Sequence, residues 1–198
     1  MAQHTFPNGG ALARNLADDV VAALERRLAR HRAAGLVVSG GRTPAAFLRE
    51  LGSRELDWSN VFVTLADERR VAADDPASNL RFLREAFAGN PASAAVLVAI
   101  DATSSDAASR WNESIGKMPR PFAAVILGMG DDGHFASLFP GMPGLATALD
   151  LSNTTTVVEG VAPVEPRARL SLTLPTLLDT DLVVLHVTGE PKLATPQR

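Results

Sequence analysis

Cysteine is absent from all 198 residues. That excludes a disulfide framework and a thiolate nucleophile, and it suits a reducing compartment, so a cytoplasmic location is expected. Histidine is scarce: His4, His31, His134 and His186 are too scattered for a metal-ligand pattern. Basic charge is also in short supply, with 19 Lys and Arg against 22 Asp and Glu and a net charge of −3. A nucleic-acid partner would need a basic face. The Arg26-Arg27 and Arg30-His31-Arg32 clusters do not supply one, because they alternate with Ala and Leu as a solvated helix face does. No apolar run approaches the length of a membrane span, and residues 1–10 lack the basic-then-apolar pattern of a secretory signal. Neither membrane nor nucleic acid is therefore expected as a partner. Internal repeats and low-complexity tracts are missing as well.

What is present is an alternation. Leu12, Leu16, Val20, Ala23, Leu24 and Leu28 recur at three- and four-residue steps, which predicts a helix over residues 11–33 stopped by Gly35. Short strands are predicted at 36–38, 61–65, 96–100, 122–127 and 181–187, with weaker ones at 154–158 and 170–174. Helices are predicted from Pro44 to Leu51, from an N-cap at Ser78 to Phe87, and over 105–117. Strands alternating with helices imply an α/β fold, a largely parallel sheet with helices on both faces.

In such sheets ligands sit beyond the C-terminal strand ends. Four polar segments follow four strands: 39–43, 67–69, 128–134 and 188–192. Ser39-Gly40-Gly41-Arg42-Thr43-Pro44 outlines a phosphate cradle, since glycines let backbone N–H groups approach an anion and a helix start adds positive charge. A capped turn of no further purpose would use the same residues. Asp67-Glu68-Arg69-Arg70 reads as a self-paired surface loop, or as a two-pronged arginine grip on an anion. Gly128-Met129-Gly130-Asp131-Asp132-Gly133-His134 is the most specific of the four. It holds Gly128, Gly130 and Gly133 with two acids and a histidine, the side chain suited to general-base work near neutral pH. Either Asp131 or Asp132 could orient the ring.

The run from Leu127 to Gly141 closely resembles the signature of the 6-phosphogluconolactonase family. So do Ser39-Gly40-Gly41-Arg42-Thr43-Pro44, Asp67-Glu68-Arg69-Arg70-Val71 with Asp75 and Ser78-Asn79, Arg169-Leu170-Ser171-Leu172-Thr173, and Thr188-Gly189-Glu190-Pro191-Lys192. These five matches fall in the family's order. The resemblance implies a Rossmann-like fold shared with glucosamine-6-phosphate deaminases and ribose-5-phosphate isomerases. It implies hydrolysis of 6-phospho-D-glucono-1,5-lactone to 6-phospho-D-gluconate in the oxidative pentose phosphate pathway, with a small sugar phosphate as partner and no cofactor or metal. By the same resemblance His134 is the base, and Asp67 orients it or a sugar hydroxyl. Gly40, Gly41, Arg42, Thr43, Arg169 and Lys192 hold the phosphate, Arg69 contacts substrate, and Gly128, Gly130, Asp132 and Gly133 support the loop.

Related deaminases follow Asp-Gly-His with Ala-Phe-Asn-Glu-Pro. Here Phe139 stands where their glutamate would, and a phenyl ring moves no proton. A non-catalytic sugar-phosphate sensor is the alternative from another class, but no length is free for a DNA-binding region. Position 135 is Phe where many lactonases have Thr. The family continues a few tens of residues past the point matching Arg198, so the expectation is a single domain over 1–198 shortened at its C-terminus.

Overall fold

The computed structural model describes residues 2–41 and 43–188. Helix α1 (Gly9–His31) begins where the Asn8 side chain accepts the Ala11 N–H at 2.8 Å, and it buries Leu16, Val20, Ala23 and Leu24. It ends at Arg32, which takes a left-handed conformation (φ 61°) and returns its N–H to the Leu28 carbonyl. Gly35 is thus not the stop signal. It lies inside strand β1 (Ala34–Val38), all five residues of which are buried. Helix α2 (Ala45–Gly52) follows a turn at Pro44 and packs on α1.

Strand β2 (Val61–Leu65) pairs parallel with β1, Val37 beside Thr64. The chain then leaves this sheet at a single residue. Ala66 donates its N–H to Val38 and offers its carbonyl to Leu172, so one residue joins two sheets. Strand β3 (Asp67–Arg69) lies in the second. Helix α3 (Asn79–Phe87) is capped by Ser78 as its sequence predicts, and β4 (Val96–Leu97), α4 (Ala107–Gly116) and β5 (Ala124–Leu127) follow. Then come α5 (Leu145–Leu149), β6 (Val157–Val161), β7 (Ala168–Leu172), α6 (Leu174–Leu178) and β8 (Val183–Leu185).

The main sheet runs β4-β2-β1-β5-β8, every pair parallel. The second is antiparallel, β3-β7-β6. Two expectations are corrected here. Residues 67–69 are a strand rather than a surface loop, because their carboxylates are buried on polar partners and leave no apolar signal. The segments near 157 and 170 do not join the parallel sheet. Six residues connect them, and a parallel return needs a crossover of a dozen or more.

One apolar core unites α1–α4 with the parallel strands, centred on the fully buried Trp111, Phe47, Phe122, Leu24 and Leu36. Each fully buried aliphatic side chain contributes about 1.5–3 kcal/mol. Trp111 on α4 donates its indole N–H to Thr64 Oγ1, and Thr64 donates to the Val98 carbonyl, so these two buried side chains are paired. A smaller cluster, Leu138, Phe139, Met142, Ala148 and Ala162, lies beside it. Among the described residues no helix is long and apolar enough to cross a membrane.

Candidate active site

Strand β1 leads to β2 on one side, while its other neighbour is β5. Sheet order reverses between β1 and β5, which is where crevices open in parallel α/β sheets. The two segments leaving those strands meet there. Ser39 donates its N–H to the Ile126 carbonyl at 3.0 Å, and its hydroxyl accepts the Gly128 N–H at 3.3 Å. Gly41 has φ +100° with open space where a Cβ would lie, so its side-chain-free state serves the backbone turn. Thr43 is partly buried in the turn entering α2. Arg42 and Lys192 lie outside the described residues.

The loop after β5 closes on itself. Gly130 donates to the His134 carbonyl at 2.9 Å, Gly133 donates to the Gly130 carbonyl at 3.1 Å, and Gly133 has φ 85°. His134 Nδ1 lies 2.5 Å from Asp132 Oδ1, which also accepts the His134 N–H at 3.2 Å. A Cβ on Gly130 would stand 2.2 Å from the imidazole and 2.6 Å from that carboxylate, so this glycine leaves room for the pair. Asp132 is therefore in direct contact with the imidazole. Burial pushes the Asp132 carboxyl up, yet hydrogen bonds from His134 and its charge outweigh this and hold it below the usual value. With Nδ1–H given to a carboxylate, Nε2 is the ring atom that can accept a proton. The ring leans on Phe139, centroids 4.3 Å apart, and keeps 27% of its surface exposed, enough for water to reach it.

Asp67 does not meet His134. Its Oδ2 accepts the Ser137 hydroxyl at 2.5 Å, while Asn79 donates from Nδ2 to the Asp67 carbonyl at 2.8 Å and to Oδ1 at 3.4 Å. Asp67 pairs across the ladder with Ser171, whose hydroxyl accepts the Ser137 N–H at 3.2 Å. Ser137, Ser171 and Asn79 are buried, and patterning gives no hint of them, because they are short polar residues whose partners lie far away in sequence. Glu68, on the opposite face of β3, accepts N–H groups of Arg69, Asn79 and Leu80 at 2.7 Å and the Ser78 hydroxyl at 3.0 Å. Burial raises its pKa against those four bonds. It ties β3 to the start of α3.

Arg69 and Arg169 face each other across β3 and β7. Arg69 donates to the Ala77 carbonyl at 2.5 Å, and among the described residues the buried Nε atoms of both arginines lack an acceptor. Burial, then the Arg69 charge, pushes the Arg169 pKa down; Asp67, Glu68 and Glu165 oppose this. Adjacent guanidiniums with unused donors favour an anion. No three His, Asp or Glu side chains gather as metal ligands among the described residues.

A parallel α/β sheet with glycine-bounded loops and a carboxylate–imidazole pair at one edge defines a class of small-molecule enzymes working at a sheet switch point. A solved structure of a monomeric glucosamine-6-phosphate deaminase shares the fold at a TM-score of 0.75 and 18% identity, covering 100% of this chain and 86% of its own. Residues 7–198 match the family model for glucosamine-6-phosphate isomerases/6-phosphogluconolactonase, and the chain belongs to that family. A 6-phosphogluconolactonase of Rhizobium meliloti is 41% identical over 192 residues, 96% of this chain and 83% of its own length. The crystal structure of a 6-phosphogluconolactonase from Shewanella baltica is 37% identical with a TM-score of 0.91, covering 97% of this chain and 83% of its own.

Proposed function

We propose that this chain hydrolyses 6-phospho-D-glucono-1,5-lactone to 6-phospho-D-gluconate, as a cytoplasmic step of the oxidative pentose phosphate pathway. The Asp132–His134 pair at the end of β5 carries the reading, because lactone hydrolysis needs a base for water and this pair supplies one. Nε2 of His134 takes a proton from water as the oxygen attacks C1. Asp132 stabilises the imidazolium that forms. The tetrahedral oxyanion takes hydrogen bonds from backbone N–H groups of the glycine loop that follows β5. Its collapse breaks the bond from C1 to the ring oxygen, and the imidazolium returns its proton to that oxygen as a hydroxyl.

The phosphate is assigned to Gly40, Gly41, Arg42 and Thr43 at the start of α2, together with Arg169 and Lys192, and Arg69 reaches the substrate. Gly128, Gly130 and Gly133 shape the base loop. Asp67 is already bonded to Ser137 and Asn79, so its role is read as holding the loop beyond His134 rather than the ring itself. Deamination is disfavoured by Phe139, whose ring lies against His134 where a second proton-moving group would be needed.

His134→Asn tests the reading. Turnover of fresh lactone, corrected for spontaneous opening, should fall by ~10²–10⁴-fold, while 6-phosphogluconate still binds within a few-fold of its normal affinity. Near-normal turnover by the folded variant would place the base elsewhere.

A further inference from the structure

Gly40 and Gly41 stand side by side in the anion loop for different reasons. Gly41 has a left-handed backbone and open space around it. Gly40 is not among the glycines of positive φ, so φ does not exclude a side chain there. What excludes a side chain there is Asn79. A Cβ on Gly40 would lie 2.0 Å from Asn79 Oδ1, 2.2 Å from Cγ and 2.8 Å from Cβ. The amide cannot swing away, because Asn79 is only 2% exposed, its N–H is held by Glu68 at 2.7 Å, and its Nδ2 is held by Asp67.

Resting on the function read above, we infer that Asn79 is a positioning residue that sets the spacing between the anion loop and the base loop. One end of its flat amide seats Gly40. The other holds Asp67, which fixes Ser137 three residues beyond His134. Oδ1 is buried and has no hydrogen-bond partner among the described residues. A buried unpaired acceptor is costly, and an apolar side chain of the same shape would avoid that cost. The amide is retained for what its two ends do.

The test is a double-mutant cycle of Gly40→Ala and Asn79→Gly, with Asn79→Leu as a third variant. It is read by lactone kinetics, affinity for 6-phosphogluconate and for inorganic phosphate, and melting temperature. Gly40→Ala should raise KM and weaken both ligands by about tenfold or more while kcat stays within about threefold, since it displaces only the binding loop. In the Asn79→Gly background the same methyl should cost about threefold or less. Asn79→Leu keeps the bulk beneath Gly40 but loses the bond to Asp67, so kcat should fall more than KM rises. Should Gly40→Ala alone fail to fold, the double variant must recover the melting temperature of Asn79→Gly.

Equal penalties in both backgrounds, a harmless Gly40→Ala, a double variant that stays unfolded, or an Asn79→Leu that moves KM and kcat together would each overturn the inference. Loss of the functional reading looks different. A wild-type protein that leaves the lactone to open spontaneously would refute it, while phosphate affinity and melting temperature would still report the coupling of Gly40 to Asn79.

Discussion

At the scale of single residues the site depends on a carboxylate two positions from the histidine it holds. Asp132 keeps its charge into the acid range because His134 donates to it twice. Asp132→Asn preserves size and can still accept from Nδ1, but the imidazolium of the proposed mechanism then faces a neutral partner. A hydrogen bond to a charged group contributes roughly 1.5–3 kcal/mol, which corresponds to a loss of about 10- to 100-fold in kcat. The measurement is kcat beside product affinity, and an unchanged kcat would remove Asp132 from the mechanism. His134 and its glycine loop are legible in the sequence because the whole unit fits in seven residues. The surroundings of Asp67 are not legible for the converse reason: it follows a strand as a catalytic acid would, and its partners Ser137 and Asn79 are 70 and 12 positions away.

Among the elements, glycine placement shows where reading along the chain stops working. Gly35 looks like a helix terminator, but the helix ends three residues earlier on Arg32, a residue that strains in the left-handed region. Gly35 serves packing between elements. A Cβ there would lie 2.5 Å from the Pro119 carbonyl oxygen and 2.7 Å from the Phe122 ring. Two substitutions should therefore act in opposite directions. Gly35→Ala should lower the unfolding free energy by about 1–3 kcal/mol, since backbone cannot yield as a side chain does. Arg32→Gly should raise it by up to about 1 kcal/mol. Urea unfolding of both variants decides, and a neutral Gly35→Ala would mean that β1 and the segment at Pro119 move apart easily. The parallel strands were legible as continuous apolar runs. The β3-β7-β6 sheet was not, because β3 is built of charged residues whose burial is balanced by hydrogen bonds.

Across the whole molecule, one imidazole outside the site is buried among the described residues. His186 follows β8, is 6% exposed, donates its N–H to the Leu127 carbonyl and meets the Phe47 ring edge-on. Burial lowers its pKa, and its Nδ1 has no partner among the described residues. The folded protein therefore resists a proton that the unfolded chain accepts as pH falls through about 6.5. Stability from this group is complete above that value and declines as pH drops below it toward the folded-state pKa. His186→Phe should flatten the decline in urea midpoint between pH 7 and pH 5. An equally steep decline in the variant would assign acid sensitivity to other groups.

The two halves of the site are assembled over very different chain distances. Asp132 and His134 meet inside one short turn, while Ser39 and Gly128, or Gly40 and the Asn79 amide that seats it, are brought together only by the docking of distant elements. Heat that loosens the docking of elements will part the distant contacts first and leave the turn closed. On warming, the enzyme should lose its hold on substrate before it loses the power to activate water, so that an inactivating sample still turns over at near its full rate when flooded with lactone.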